Sequence, residues 1–330
     1  MIKEFTDAAR AAGIKVGLYL SPLDTHAADS SGAPGYFDKL KCMLTEVLSN
    51  YGEVSEVWFD GNQAPAGDWN AVVALVRRLQ PRVVIQMGPE IAVMTADIRW
   101  VGNESGIASP GTASVQTRNG VPVWYPAECD VSIRPGWFHH ADQDGSVKSL
   151  DQLLDIYFKS VGRNCPLLLN IPPDQRGLIA APDVTRMAEF GNALNDLHRT
   201  NLARGQAATA DSVFADAPDF AGGRAVDDDV ATYWAAASGR TSGRLELGLG
   251  EGKSVKVVSI AEPIQLGERS TRYHVEIQRA GETAWTTIGT GTVIGTRNLI
   301  RLATPQPAAR VALVIDQARA TPAIAELAVY

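Results

Sequence analysis

Hydrophobic and polar positions follow two different rhythms along the chain. Up to about residue 200, short apolar runs alternate with stretches of helical period. Residues 2–10 read as an amphipathic helix and 14–20 as an apolar strand. A helix is predicted over 36–51, carried by Leu40, Met43, Leu44, Val47 and Leu48 and stopped by Gly52. A strand follows at 54–59, a helix at 69–79 ended by Pro81, and short strands at 83–85 and 98–101. A long loop is expected next, then apolar segments at 123–125 and 128–131. A helix at 150–161, a buried strand at 166–171 and a helix at 185–199 close this part. Strands alternating with helices in this way predict parallel β/α units. Acidic residues gather just past the strand ends, at Asp24, Asp60, Glu104, Glu128 and Asp174. In parallel α/β folds that end carries the active site.

Beyond about residue 201 the helical period disappears. Short β-type runs stand at 244–247, 255–260, 272–278, 285–288, 299–302 and 310–315, separated by Gly and Pro. Tyr273, Val275 and Ile277 alternate onto one face. The expected fold class is therefore α/β at the front and an antiparallel β-sandwich behind. The domains expected are 1–203 and 207–330, with the boundary around 200–207.

Composition narrows the function. Of 330 residues, 45% are hydrophobic and 20% charged, as in packed globular proteins. A net charge of −7 without a basic stripe argues against nucleic acid or an anionic membrane surface as partner. No apolar run approaches the ~20 residues of a membrane-spanning helix. Three cysteines fall short of a disulfide framework. No GxGxxG or GxxxxGK[ST] follows a strand, so a phosphate-handling enzyme lacks its loop. The chain opens on a helix with no signal peptide before it, which predicts either a small α/β domain or the later part of a larger one.

The sharpest local signal is Glu56-Val-Trp-Phe-Asp-Gly61, a carboxylate at a strand end among aromatics. A second carboxylate lies in Trp100-Val-Gly-Asn-Glu-Ser-Gly106. Glycosidic cleavage needs two carboxyls facing one another across the bond, and aromatic side chains suit the apolar face of a sugar. An Asp-Gly pair after a strand also serves as a plain turn. Glu128 competes with Glu104 as the acid/base. Its structural alternative is a loop-fixing salt bridge to Arg134.

Residues 1–200 resemble glycoside hydrolase family 29, the retaining α-L-fucosidases. The resemblance rests on Gly17-Leu-Tyr-Leu-Ser-Pro22, Val57-Trp-Phe-Asp-Gly61, Trp100-Val-Gly-Asn-Glu104, Pro126-Ala-Glu-Cys-Asp-Val-Ser-Ile-Arg-Pro-Gly-Trp-Phe138 and Asn164-Cys-Pro-Leu-Leu-Leu-Asn-Ile-Pro-Pro173. It is strongest to the branch acting on α-1,3/1,4-linked fucose. It implies a (β/α)8 TIM-like barrel, here partial and lacking its first strands. It implies Asp60 as nucleophile and Glu104 as acid/base, with Trp58, Trp137, Tyr19 and Glu128 against the sugar, and no cofactor for catalysis. The implied partners are fucosylated oligosaccharides or glycoproteins, and the implied setting is secreted, periplasmic or cell-surface. Two departures stand out. The family's early HHDGF-like motif is absent, so about three of eight β/α units are expected to be missing and the chain to show little or no activity by itself. Leu23-Asp24-Thr25-His26 also replaces the family's usual Trp and Asp-Arg after Ser-Pro.

The second part resembles the F5/8 type C, or discoidin, sandwich, also found as family 32 carbohydrate-binding modules. The matching residues include Ala225-Val-Asp-Asp-Asp-Val-Ala-Thr-Tyr-Trp234, Gly267-Glu-Arg-Ser270, Gly291-Thr-Val-Ile-Gly295 and Pro322-Ala-Ile-Ala-Glu326. That resemblance implies a structural Ca²⁺ held by Asp227, Asp229, Thr232 and Glu326, since hard oxygen donors on a tight loop suit this ion. An Asp-rich solvated turn is the alternative, and the family's usual Gly is replaced by Asp228. Against the fucosidase stands a second class of function, a non-catalytic carbohydrate-binding or adhesive protein acting through the sandwich.

Overall fold

The fold was analysed in a computed structural model, which describes residues 1–23, 35–60, 67–87 and 96–330. Asp24, Thr25, His26 and Gly61 lie outside the described residues. The chain divides into two compact units, one of residues 1–100 and 116–128, the other of 101–115 and 129–330.

In the first unit, α1 (Ile2–Ala11) precedes β1 (Gly17–Leu20), α2 (Tyr36–Ser49), β2 (Glu56–Phe59), α3 (Trp69–Leu79), β3 (Val84–Met87) and β4 (Ile98–Trp100). The pairs among β1 to β4 are parallel, with Tyr19 beside Trp58, Trp58 beside Gln86, and Gln86 beside Ile98. Helix α2 buries Leu40, Leu44 and Leu48, spaced four apart, while α3 buries Val72, Val73 and Val76. These residues pack on Val57, Phe59, Ile85 and Met87, the sheet positions facing the helices. Asp68 caps α3 by accepting the Ala71 amide at 3.0 Å. The opposite face of β2 carries Glu56 and Trp58, followed by Asp60, because alternate strand residues point to opposite sides.

The long loop expected after Trp100 contains a hairpin, β5 (Val115–Arg118) with β6 (Val121–Trp124). Asn119 and Gly120 make its turn, both with positive φ (50° and 78°), the pairing a two-residue hairpin demands. Strand β7 (Ala127–Ser132) runs parallel to β4, placing Trp100 beside Glu128.

In the second unit β7 continues into parallel pairing with β8 (Leu167–Asn170), between which lies α4 (Leu150–Lys159). A capping box of Ser149 and Gln152 starts α4. Helix α5 (Ala181–Leu197) begins four residues before the expected start, with a proline in its first turn. The parallel sheet thus runs β1-β2-β3-β4-β7-β8, part of a (β/α)8 barrel.

The same unit holds the antiparallel region. Its strands are β9 (Ala208–Ala210), β10 (Trp234–Ala235), β11 (Gly243–Gly248), β12 (Ser254–Ala261), β13 (Ser270–Gln278), β14 (Thr286–Gly291), β15 (Asn298–Pro307), β16 (Arg310–Ala318), β17 (Ala323–Ile324) and β18 (Glu326–Val329). They form sheets β14-β13-β16-β11-β9, β15-β12-β18 and β10-β17. Trp234, Leu245, Tyr273, Val275 and Leu313 fill the core between them. The indole of Trp234 is fully buried and donates to the Ser212 carbonyl at 2.9 Å. A second cluster joins Ile133, Leu153, Tyr157 and Phe190 from around α4 and α5 to Val257 and Leu299 of β12 and β15.

Candidate active site

Asp60 follows β2 directly, and its Oδ2 accepts the Tyr19 hydroxyl at 2.7 Å. Parallel pairing puts Tyr19 beside Trp58, and the rings stack with centroids 5.5 Å apart. Burial and the Asp60 carboxylate push the Tyr19 phenol up to about 12, so it remains a proton donor across the ordinary pH range. The Trp58 indole in turn donates to Glu128 Oε1 at 2.9 Å. Glu128 is 9% exposed. Tyr19, Trp58, Asp60 and Glu128, each expected at the sugar from the sequence, therefore form one chain of contacts.

Two groups on this face were not anticipated. Glu56, one strand repeat before Trp58, is pushed up to about 7 by burial and then by the charge of Glu128. Its Oε1 is buried without a hydrogen-bond partner among the described residues. Gln86, fully buried beside Trp58 in the next strand, likewise has no partner for its amide there. The signal for Glu56 lay in strand parity, since Glu56, Trp58 and Asp60 occupy every second position.

Glu104 comes four residues after β4, is exposed, and belongs to the second unit. Its Oε2 accepts the Trp137 indole at 3.3 Å. Asn170, ending β8, holds the Trp137 carbonyl at 3.0 Å. Thus Glu104 and Trp137, the remaining expected site residues, also meet. Gly106, two residues on, has φ 69°, and a Cβ there would lie 2.8 Å from Val131 and 2.9 Å from Ile156. Only glycine lets the loop lie this close to β7 and α4.

The other strand-end groups have different roles. Arg134 is committed to Asp183, at 2.8 and 3.0 Å, and to Asp144 at 2.8 Å, so it does not serve as the expected partner of Glu128. Asp174 is held down to about 2 by the Arg176 guanidinium and by loop amides. A cavity of about 620 Å³ lies between the loops after β7 and β8, lined by His139, His140, Asp142, Asp174 and Arg176. Neither Glu104 nor Trp137 lines it.

In the antiparallel region, Thr232 Oγ1 lies within 3.2 Å of the Arg224 and Asp229 carbonyls and of both Asp227 carboxylate oxygens. One hydroxyl hydrogen serves only one of these acceptors. Both Glu326 oxygens are buried and make no well-formed hydrogen bond among the described residues, with only weak help from the Asp228 backbone and the Asn201 side chain. Burial, then Asp228 and Asp227, push its carboxyl up to about 7. Asp228 takes φ 62°, the conformation for which glycine is the usual choice, and turns to Asn201 and Arg204. Among the described residues no three His, Cys, Asp or Glu side chains converge as a metal set, so a cation here would need carbonyl and hydroxyl donors as well.

The α-L-fucosidase family model matches residues 1–197, well over half of the chain. The chain belongs to the α-L-fucosidase family. The F5/8 type C domain model matches residues 207–327. Alpha-L-fucosidase 1 of Arabidopsis thaliana is 35% identical over 355 residues, spanning all of this chain and 68% of the plant protein. The structure of SpGH29 superposes with TM-score 0.90 at 32% identity, over all of this chain and 76% of that one. A Ruminococcus gnavus GH29 fucosidase in complex with fucose gives TM-score 0.88 at 29% identity, over the whole chain and 74% of that chain. The hydrolase and glycosidase class of this family member and its F5/8 type C domain follow from these matches.

Proposed function

We propose that this α-L-fucosidase family member removes terminal α-linked L-fucose, of the α-1,3/1,4 type, from fucosylated oligosaccharides or glycoproteins by double displacement. Asp60 attacks the anomeric carbon while the bond to the leaving oxygen breaks, and Glu104 gives that oxygen its proton. Water then attacks the same carbon, passing a proton to Glu104 as the Asp60 ester bond breaks. Tyr19 steadies the Asp60 carboxylate, Trp58 offers the sugar an apolar face, and Glu128 fixes the indole. Trp137 orients Glu104. The observation that carries this reading is Asp60 within the matched family region, at a strand end, hydrogen-bonded to Tyr19 and adjoining the Trp58–Glu128 pair.

NMR of the fucose first released from an aryl α-L-fucoside tests it. Retention gives the α-anomer first. The β-anomer first would mean inversion. Glycan binding without any hydrolysis would favour the adhesive alternative.

The loop of Asp227, Asp229 and Thr232 with Glu326 is proposed to hold a structural Ca²⁺. Its crowded oxygens and weakly bonded buried carboxylate suit a hard cation, which would supply charge compensation and no catalytic chemistry.

A further inference from the structure

Three sequence stretches that the catalytic reading leaves unused meet at one buried polar joint. They are the loop ending at Asn164, Gly267-Glu-Arg-Ser270, and Gly291-Thr-Val-Ile-Gly295. Glu268 is 3% exposed, Asn164 3% and Ser114 1%. The Glu268 carboxylate accepts the Ser114 amide at 2.7 Å, the Val115 amide at 3.0 Å and the Asn164 side-chain amide at 2.6 Å. The Asn164 side-chain nitrogen also lies within 3.2 Å of Ser114 Oγ and the Thr112 carbonyl, which share its second hydrogen, and the side-chain oxygen accepts from the Thr296 amide and hydroxyl at 2.8 and 2.7 Å. No larger residue fits at position 295, since a Cβ on Gly295 would fall 2.3 Å from the Asn164 amide carbon.

Residues 112–115 end the loop that carries Glu104. Before them the Gly106 amide donates to the Asp130 carbonyl at 3.0 Å and the Ala108 amide to the Lys159 carbonyl at 2.9 Å. Arg163 holds the Ala108 carbonyl at 2.6 Å. Arg163 and Asn164 are themselves laced to the antiparallel region, where the Asn164 amide donates to the Arg297 carbonyl and the Leu299 amide to the Gly162 carbonyl, each at 3.0 Å. The far end of the loop is thus fastened both directly by Glu268 and through residues 162–164.

We propose that Glu268, acting with Asn164 from outside the catalytic machinery, is a positioning residue for Glu104. It sets the course of the 101–115 loop and so the contact of Glu104 with Trp137. The inference rests on the reading of Glu104 as acid/base. A carboxylate accepting three N–H groups in a buried site is a strong, charge-assisted anchor. Exchanging it for an amide removes the charge and turns one acceptor into a donor facing donors. A displacement of about 1 Å at a reacting group costs on the order of 100-fold in rate.

The test uses Glu268→Gln and the milder Thr296→Val, which removes only the hydroxyl donor to Asn164. Two readouts are taken below the unfolding temperature. One is the Trp137 indole N–H resonance, assigned with Trp137→Phe. The other is kcat/KM on an aryl fucoside with an activated leaving group against a fucosylated oligosaccharide. The proposal expects the Trp137 resonance to move or broaden in Glu268→Gln. It also expects kcat/KM to fall about tenfold further on the oligosaccharide, which needs the proton, than on the aryl fucoside. Thr296→Val should shift both in the same direction by less. An unmoved resonance, or an equal fall on both fucosides, would overturn the proposal while Glu104→Ala still discriminates between the substrates. If Glu104→Ala itself shows no discrimination, the acid/base reading fails and this proposal falls with it.

Discussion

At the residue scale the site is a set of hydrogen-bonded pairs, each with a separable consequence. Tyr19→Phe deletes the hydroxyl that Asp60 accepts and keeps the ring that stacks on Trp58. A hydrogen bond to a charged partner contributes about 1.5–3 kcal/mol, so kcat/KM on an aryl fucoside should fall about tenfold to a hundredfold. An unchanged value would remove Tyr19 from the chemistry. Glu56 acts on stability through pH. Its folded-state value, about 7, lies above the ordinary carboxylate value of 4.5, so the fold binds its proton more tightly than the unfolded chain does. That contribution is complete below about 4.5 and is lost as pH rises through about 7. Glu56→Gln should therefore flatten the fall in Tm between pH 5 and pH 8. A fall as steep as in the parent would place Glu56 in a solvated setting.

At the element scale the hydrophobic pattern decided most of what was legible. The spacing of Leu40, Leu44 and Leu48 gave α2, and the apolar runs gave β1, β2, β3 and β8, because period and burial coincide there. Of the β5–β6 hairpin only the apolar run at 123–125 was legible, because β5 is four residues long, three of them polar, and leaves no apolar run to read. The Asn119-Gly120 turn was the available signal. The proposed catalytic pair, Asp60 and Glu104, is carried by motifs and could be put forward from the sequence. Gln86 required the register that sets it beside Trp58, and Glu56 required the burial and the Glu128 charge that act on it in the fold. The Arg134 guanidinium, expected beside Glu128, is instead taken by Asp183, at the start of α5, and by Asp144, neither of which adjoins it in sequence. The Asp-rich loop gives an element-scale prediction. Without Ca²⁺, Glu326 should cost stability as pH rises through about 7, and Glu326→Gln should remove that loss. Added Ca²⁺ should raise Tm at pH 7.5 in the parent and little in Glu326→Gln, as measured by calorimetry. Equal shifts in both would exclude Glu326 as a ligand.

At the scale of the whole molecule, the family's catalytic region and the F5/8 type C match share structure within one compact unit. Val257 and Leu299 pack with Leu153, Tyr157 and Phe190, and Glu268 seals the joint at Asn164. Val257→Ala should cost about 1–3 kcal/mol, lowering the melting of α4 and α5 together with that of the antiparallel region. Two transitions, of which only the antiparallel one moves, would show the regions to be independent. Asp60 directly follows β2, and its carboxylate is the group proposed to take fucose. The direct measurement is mass spectrometry of the protein after reaction with 2-deoxy-2-fluoro-α-L-fucosyl fluoride, whose fluorine slows release of the covalent intermediate. One fluorofucosyl group per chain is expected, on the peptide that contains Asp60, and none in Asp60→Gly. Label on another carboxylate, with Asp60→Gly still labelled, would contradict it.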